Sequence, residues 1–284
     1  MPFFWGGAFG STKHVLSEVP PLTVSAFRFM TAGLLMAGWT LWRNEWDWNP
    51  VRRNWLGLLL LGISGVLGYN ALFAIGMQYT TAINGALVVV INPVTTSIVA
   101  VLFLGERFSF RLGLGVLLSL LGVLTVITRG DLSALQTLSI NKGEVWLLGA
   151  VASWTTYTSL AKVVMRNMPV AMATTVSTLV GAVMLWAASL SESSWGKLPG
   201  VSGQVAVELV FLAVFPSFIA YLIFNRGIRE IGASKASAYI NLMPVNAVMI
   251  AALFYGETVT AQQIAGMFLV MSGVLLTTRA PGGK

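Results

Sequence analysis

The sequence predicts an all-α membrane protein of ten transmembrane helices, arranged as two inverted five-helix repeats. Three observations point to it. Of 284 residues, 56% are apolar and 10% charged, whereas a soluble domain carries roughly 25% charged residues; mean hydropathy is +0.79. The apolar residues gather into ten runs, most of them near the roughly 20 residues needed to cross about 30 Å of hydrocarbon. The second half of the chain also repeats the first at an offset of 149 to 151 residues.

These observations exclude several classes. The 17 basic and 10 acidic side chains cannot clothe a chain of this size in water, so no soluble domain is expected. Runs that are continuously apolar, without polar alternation, argue against a β-barrel. There is no cysteine, which removes disulfides, thiolate chemistry and cysteine-ligated metals. The net charge of +7 is scattered in ones, twos and threes between apolar runs, so no nucleic acid partner is expected.

The first run, Pro2 to Leu16, is short. Its Trp5 matches Trp154, which follows about ten more helical residues, so either this helix is short or an upstream stretch belongs before it. The run lacks the basic leader of a cleaved signal peptide. Leu22 to Trp42 comes next and carries Arg28 about seven residues, roughly 10 Å, inside the helix. A guanidinium at that depth needs partners, for which backbone carbonyls and Glu18 are candidates. Trp55 to Met77 holds Tyr69 and Asn70, and Thr81 to Leu104 holds Asn84, Asn92 and Pro93. Leu112 to Thr128 carries Gly113, Gly115 and Gly122, small residues that permit close helix approach.

The second five runs are Val145 to Val164, Val170 to Leu190, Val205 to Phe224, Ala236 to Tyr255 and Ala261 to Thr278. The ninth contains Tyr239, Asn241, Pro244 and Asn246; the tenth contains Gly266 and Gly273. Among the loop lysines and arginines, eleven fall on the side of both termini and three, Arg129, Lys142 and Lys197, on the other. The excess of positive charge puts both termini in the cytoplasm, in what is expected to be a bacterial inner membrane.

The repeat sets the architecture. A shift of 151 residues places Gly76 on Gly227, Pro93 on Pro244, Gly105-Glu106 on Gly256-Glu257 and Gly122 on Gly273; a shift of 149 places Trp5 on Trp154 and Lys13 on Lys162. Five helices per copy is an odd number, so the second copy enters the membrane from the opposite side. The expected organisation is a first repeat over 1–129, an external linker over 130–141 and a second repeat over 142–284.

Several motifs then resemble the EamA type of the drug/metabolite transporter superfamily. They are Trp5-Gly6-Gly7 with Lys13 and Pro20-Pro21, Ala26-Phe27-Arg28-Phe29, and the Pro-to-Gly-Glu stretches Asn92-Pro93 to Gly105-Glu106-Arg107 and Met243-Pro244 to Gly256-Glu257. The resemblance implies a ten-helix exporter of small metabolites with a central cavity lined by helices 1, 3, 4, 6, 8 and 9. Within it, the aromatic amino acid exporters are the branch to test first.

Each polar residue within the runs has a functional and a structural reading. Pro93 and Pro244 break the helical bonding at matched positions, either as flexing kinks beside the cavity or as static ones. The amides Asn70, Asn84, Asn92, Asn225, Asn241 and Asn246 must face protein or water, either touching substrate or bonding between helices. Lys13 and Lys162 either meet a substrate carboxylate or reach the interface from a helix end. The aromatic rings of Trp5, Tyr69, Tyr79, Trp154, Tyr157, Tyr221 and Tyr239 either stack on substrate or pack. Arg28, Glu106 and Glu257 are read as structural charges, the two glutamates at the N-terminal dipole of the next helix.

No phosphate-binding loop, metal cluster or nucleophile elbow is present in the sequence, so neither an enzyme nor a cofactor is expected. The partners expected are a small-molecule substrate and the lipid bilayer, with the chain a monomer or a weak homodimer. The function to test is export of amino acids, aromatic or other neutral ones, or related metabolites by alternating access. The rival is multidrug export of lipophilic cations, which an acidic residue at the membrane centre would favour.

Overall fold

The computed structural model describes residues 1–131, 142–255 and 258–280. Every regular element among them is helical, and seven helices are long and apolar enough to cross a membrane. We number the helices that correspond to the predicted runs. In the first matched half they are α1 (Pro2–Val15), α2 (Pro21–Trp42), α3 (Trp55–Tyr79), α4a (Ala82–Val89), α4b (Asn92–Phe103) and α5 (Phe110–Thr128). The others are α6 (Lys142–Val164), α7 (Val170–Ser189), α8 (Gly203–Ile231), α9a (Ala233–Ala238), α9b (Leu242–Tyr255) and α10 (Ala261–Thr278). Three predicted runs fall outside the seven. α1 has 14 residues, α6 carries Lys142, Glu144 and Lys162, and the ninth run is divided by a 3₁₀ turn, Tyr239–Asn241.

Helix ends follow local chemistry. Pro21 opens α2 with its φ already helical and no donor to waste, and the Glu192 carboxylate accepts the N–H groups of Leu22 and Thr23 at 2.9 and 2.7 Å. Ser109 caps α5 by accepting from Leu112 N–H at 3.2 Å. Thr260 and Gln263 cap α10 reciprocally. One element was not expected: the loop after α2 folds a short helix, Trp48–Arg53, because Asp47 accepts Asn49 N–H at 2.9 Å.

Pairings occur in matched sets. α2 packs along α7 and α5 along α10; α1 packs on α9b, and α6 on α4a and α4b. Exchanging first-half for second-half helices leaves this pattern unchanged. The α5–α10 contact depends on glycine. A Cβ on Gly122 would lie 2.5 Å from Val270 N and 2.7 Å from Gly266 O, and one on Gly115 would lie 2.7 Å from Gly273 O. These glycines therefore meet each other within the chain. Gly122→Ala is expected to lower stability by about 1–2 kcal/mol through overpacking, while Gly38→Ala, with nothing within 4 Å, leaves it unchanged or raised. Thermal unfolding of the purified protein in detergent checks both, and equal unfolding temperatures would count against the close approach.

Candidate functional site

The site is built on two wide turns. α3 contains a π-helical segment, Gly62–Gly68, and α8 another, Ala213–Ile219. Their bounds differ by 151 residues at both ends, the offset read from the sequence. A π turn breaks the i to i−4 ladder and frees carbonyls, and such turns recur at functional sites. In α8 the cause is local: Pro216 has no N–H to give to Leu212 O, which accepts the Ser217 hydroxyl instead at 2.8 Å. The freed Pro216 carbonyl accepts Trp5 Nε1–H at 2.9 Å. In α3 the Gly65 carbonyl accepts both Asn70 Nδ2–H and Tyr221 Oη–H at 3.1 Å. Each wide turn thus anchors side chains from distant helices.

Aromatic rings gather between them. Trp5 and Trp154, matched in the repeat, meet edge to face with centroids 5.6 Å apart. Trp154 also lies 4.7 Å from Tyr69, 5.7 Å from Tyr221 and 5.2 Å from Phe224, on which it stacks. Tyr157 is fully buried beneath them, its hydroxyl accepting from Asn225 Nδ2 at 2.6 Å. Ring pairs in these geometries add about 0.5–1.5 kcal/mol each beyond their burial, so the cluster holds α1, α3, α6 and α8 together.

A cavity of about 60 Å³ opens above the cluster. Trp5, Ala8 and Thr12 line it from α1, Arg28 from α2, and Tyr69, Asn70 and Phe73 from α3; Asn92, Trp154, Tyr221 and Met243 are also at its wall. Among the described residues, no Asp or Glu lines it. Three residues of this wall each carry a buried polar atom with no hydrogen-bond partner among the described residues: Arg28 Nε, Asn92 Oδ1 and Trp154 Nε1. Val89, Ile240 and Met243 separate it from a second cavity of about 270 Å³, lined mainly by Val90, Val126, Ile127, Pro244 and Val248. Apolar surface prevails in both, with the greater polar share in the first, smaller cavity.

The predicted site residues divide accordingly. Trp5, Tyr69, Asn70, Asn92 and Trp154 come together around the first cavity, and Asn241 and Pro244 line the second. Tyr157 supports the ring cluster from below. Pro93 and Pro244 lie where their runs are interrupted, between α4a and α4b and just after the 3₁₀ turn of the ninth run. Tyr79 and Tyr239 do not line either cavity: they are 56% and 36% exposed, Tyr79 at the end of α3 and Tyr239 where the 3₁₀ turn alters the facing of successive side chains. Asn84 lies in the first turn of α4a, its N–H on Thr81, and Asn246 bonds Leu242 O of its own helix at 2.8 Å.

The charges are redistributed more. Lys13 donates to Met77 O and Thr80 O at 3.0 and 3.3 Å, away from the cavity. Lys162 pairs with Glu106 at 2.8 Å. Glu106 does not serve the next helix, α5, whose start is capped by Ser109; it accepts the N–H groups of Ala233 and Ser234 at 2.8 and 3.3 Å, at the start of α9a. Burial pushes the Glu106 carboxyl upward, but hydrogen bonds from Lys162 and Ser234, with the lysine charge, leave it below the usual carboxylate range. Glu18 is not the partner of Arg28: it accepts Ser202 N–H at 2.8 Å. Arg28 is a cavity residue, and helix 2 joins the lining set. Glu257 lies outside the described residues.

Sequence reasoning missed Ser217, Thr12, Phe73 and Met243. Pro216, in the middle of an apolar run, carried the same signal that singled out Pro93 and Pro244.

Comparison with known proteins adds a family. The profile of the EamA-like transporter family matches residues 1–128 and 141–279. The uncharacterized transporter YyaM of Bacillus subtilis is 34% identical over 96% of this chain and 89% of its own length. A chloroplastic WAT1-related protein of Arabidopsis thaliana is 25% identical over 99% of the chain and 68% of its own length. A crystal structure at 17% identity superposes with TM-score 0.78 over 97% of this chain and 94% of the other, which shows a shared fold.

Proposed function

Since this chain belongs to the EamA-like transporter family and is a multi-pass membrane transporter, we propose that it exports neutral amino acids, above all aromatic ones, or closely related metabolites. The observation that carries this reading is the aromatic cavity, walled by residues from both halves of the chain and separated only by Val89, Ile240 and Met243 from a larger, more apolar one. About 60 Å³ is room for about two waters, so it suits a polar head, with the apolar remainder of an amphipathic substrate in the larger space beyond Met243. Methionine is well suited to such a boundary because it repacks easily.

In this reading the ten helical runs are ten spans, the two halves are inverted repeats joined by 130–141, and both termini are cytoplasmic. The pair Lys162–Glu106 then closes the cytoplasmic end, while the larger cavity reaches toward Arg129 and Gln263 at the outer end. Alternating access exchanges these two conditions through the matched breaks at Pro93 and Pro244. Lipophilic cations find aromatic faces here, but they meet Arg28 and no carboxylate at the wall of the first cavity.

Transport into and out of liposomes tests this. Labelled L-phenylalanine and L-tryptophan are expected to exchange through the reconstituted protein, and a cationic dye is not. Movement of the dye without the amino acids would favour the cation reading; movement of neither, with no competition, would overturn the exporter reading. Pro93→Ala and Pro244→Ala are expected to slow exchange by about tenfold, the effect of about 1.4 kcal/mol on the rate-limiting step, with membrane insertion intact. Unchanged rates would reduce both prolines to packing elements.

A further inference from the structure

We propose that Arg28 is the receptor for a carboxylate on the transported molecule, with the indole N–H of Trp154 as a second donor. This rests on the reading of the aromatic cavity as the transport site and names the chemistry of its ligand.

Arg28 lies on α2, one of the helices long and apolar enough to span a membrane, and is 8% exposed. Its Nη2 donates to Ser217 Oγ at 3.2 Å, and its Nε has no partner among the described residues. Its guanidinium carbon lies 5.6 Å from the centre of the Phe29 ring. It forms no ion pair among the described residues. Ser217 cannot neutralise it, because a hydroxyl carries no charge; it accepts from the guanidinium while donating to Leu212 O.

An intramembrane charge is expensive and is ordinarily paired. One left unpaired breaks the rule that buried charges find partners, and such departures concentrate at functional sites. The groups left bare around it match a carboxylate: Arg28 and Trp154, which line one cavity, each hold a buried N–H donor, Nε and Nε1, without a partner among the described residues. Guanidinium presents its donors in a planar fork that fits carboxylate oxygens. The bare acceptor, Asn92 Oδ1, is left for a donor elsewhere on the same molecule. Among the described residues, the same wall has no anion with which to hold a cationic ligand.

The test uses the full chain in lipid nanodiscs, read by thermal unfolding with 3-phenylpropionate, 3-phenylpropanamide and phenethylamine. The carboxylate is expected to raise the unfolding temperature, and its isosteric amide and the amine are not. In Arg28→Gln the apparent Kd for 3-phenylpropionate is expected to rise by about tenfold or more, as loss of a charged hydrogen bond implies; Arg28→Lys retains part of the response. Without ligand, Arg28→Gln is expected to unfold at the same or a higher temperature than the parent, since it removes an unpaired charge.

The proposal is overturned if 3-phenylpropionate does not stabilise the parent protein, or stabilises Arg28→Gln equally. It is also overturned if Arg28→Gln unfolds at a lower temperature without ligand while its response to carboxylate is unchanged, the pattern of a purely structural arginine. Absence of amino acid exchange in liposomes with the Arg28-dependent response intact would remove the amino acid reading alone.

Discussion

Gly65→Ala is expected to destabilise the protein by about 3 kcal/mol, at the upper end of ordinary overpacking, and to abolish transport. A Cβ at this position would lie 2.5 Å from Cγ and Cε2 of Tyr157 and closer still to Cδ2. The ring cannot withdraw. It is 1% exposed, lies 5.3 Å from Trp154, and its hydroxyl is held by Asn225 at 2.6 Å. The Gly65 carbonyl is also the shared acceptor of Asn70 and Tyr221, so a displaced turn disturbs two cavity residues at once. Combining Gly65→Ala with Tyr157→Leu should give far less than the sum of the two losses, because the second change removes the ring that the first strikes. Simple additivity in thermal unfolding would show that the close approach is not the cause.

Lys162→Ala is expected to lower stability by about 2–3 kcal/mol, less than the loss of a fully buried partner because the pair keeps some exposure. The Glu106 and Lys162 side chains are 15% and 28% exposed, and without the ammonium the carboxylate keeps only the N–H groups of α9a. Glu106→Gln on the Lys162→Ala background should recover part of the loss, since it removes the stranded charge. The pH dependence has a definite sign. The Glu106 carboxyl sits below its ordinary value of 4.5 in the folded chain, so its contribution is present above that value and fades as pH falls through the lower, folded one. The stability difference between the parent and Glu106→Gln should therefore be constant near neutrality and shrink below about pH 4.5. A difference that grows on acidification would contradict the assignment.

Much of the chain was legible without coordinates. Apolar length and loop charge are properties summed along a segment, so α2, α5, α7 and α10 emerge close to their predicted bounds. Pro93 and Pro244 mark interruptions because a proline removes a donor wherever it falls. The aromatic and amide residues of the cavity were recognisable as groups that hydrocarbon does not tolerate alone. Tyr79 and Tyr239 lie outside the lining of both cavities, since membership of a helix does not fix the direction a side chain faces.

The partnerships of the charged residues were decided only by tertiary structure. Glu106 reaches the start of α9a rather than α5, Glu18 serves Ser202 rather than Arg28, and Arg28 lines the cavity with its Nε unpaired. Each helical residue turns its side chain by about 100° and advances about 1.5 Å, so rotating or sliding one helix by a single residue exchanges its neighbours. Their residue types and the apolar runs around them require that these polar groups be sheltered from lipid; which of them meet follows from the packing of helices whose partners lie more than a hundred residues apart.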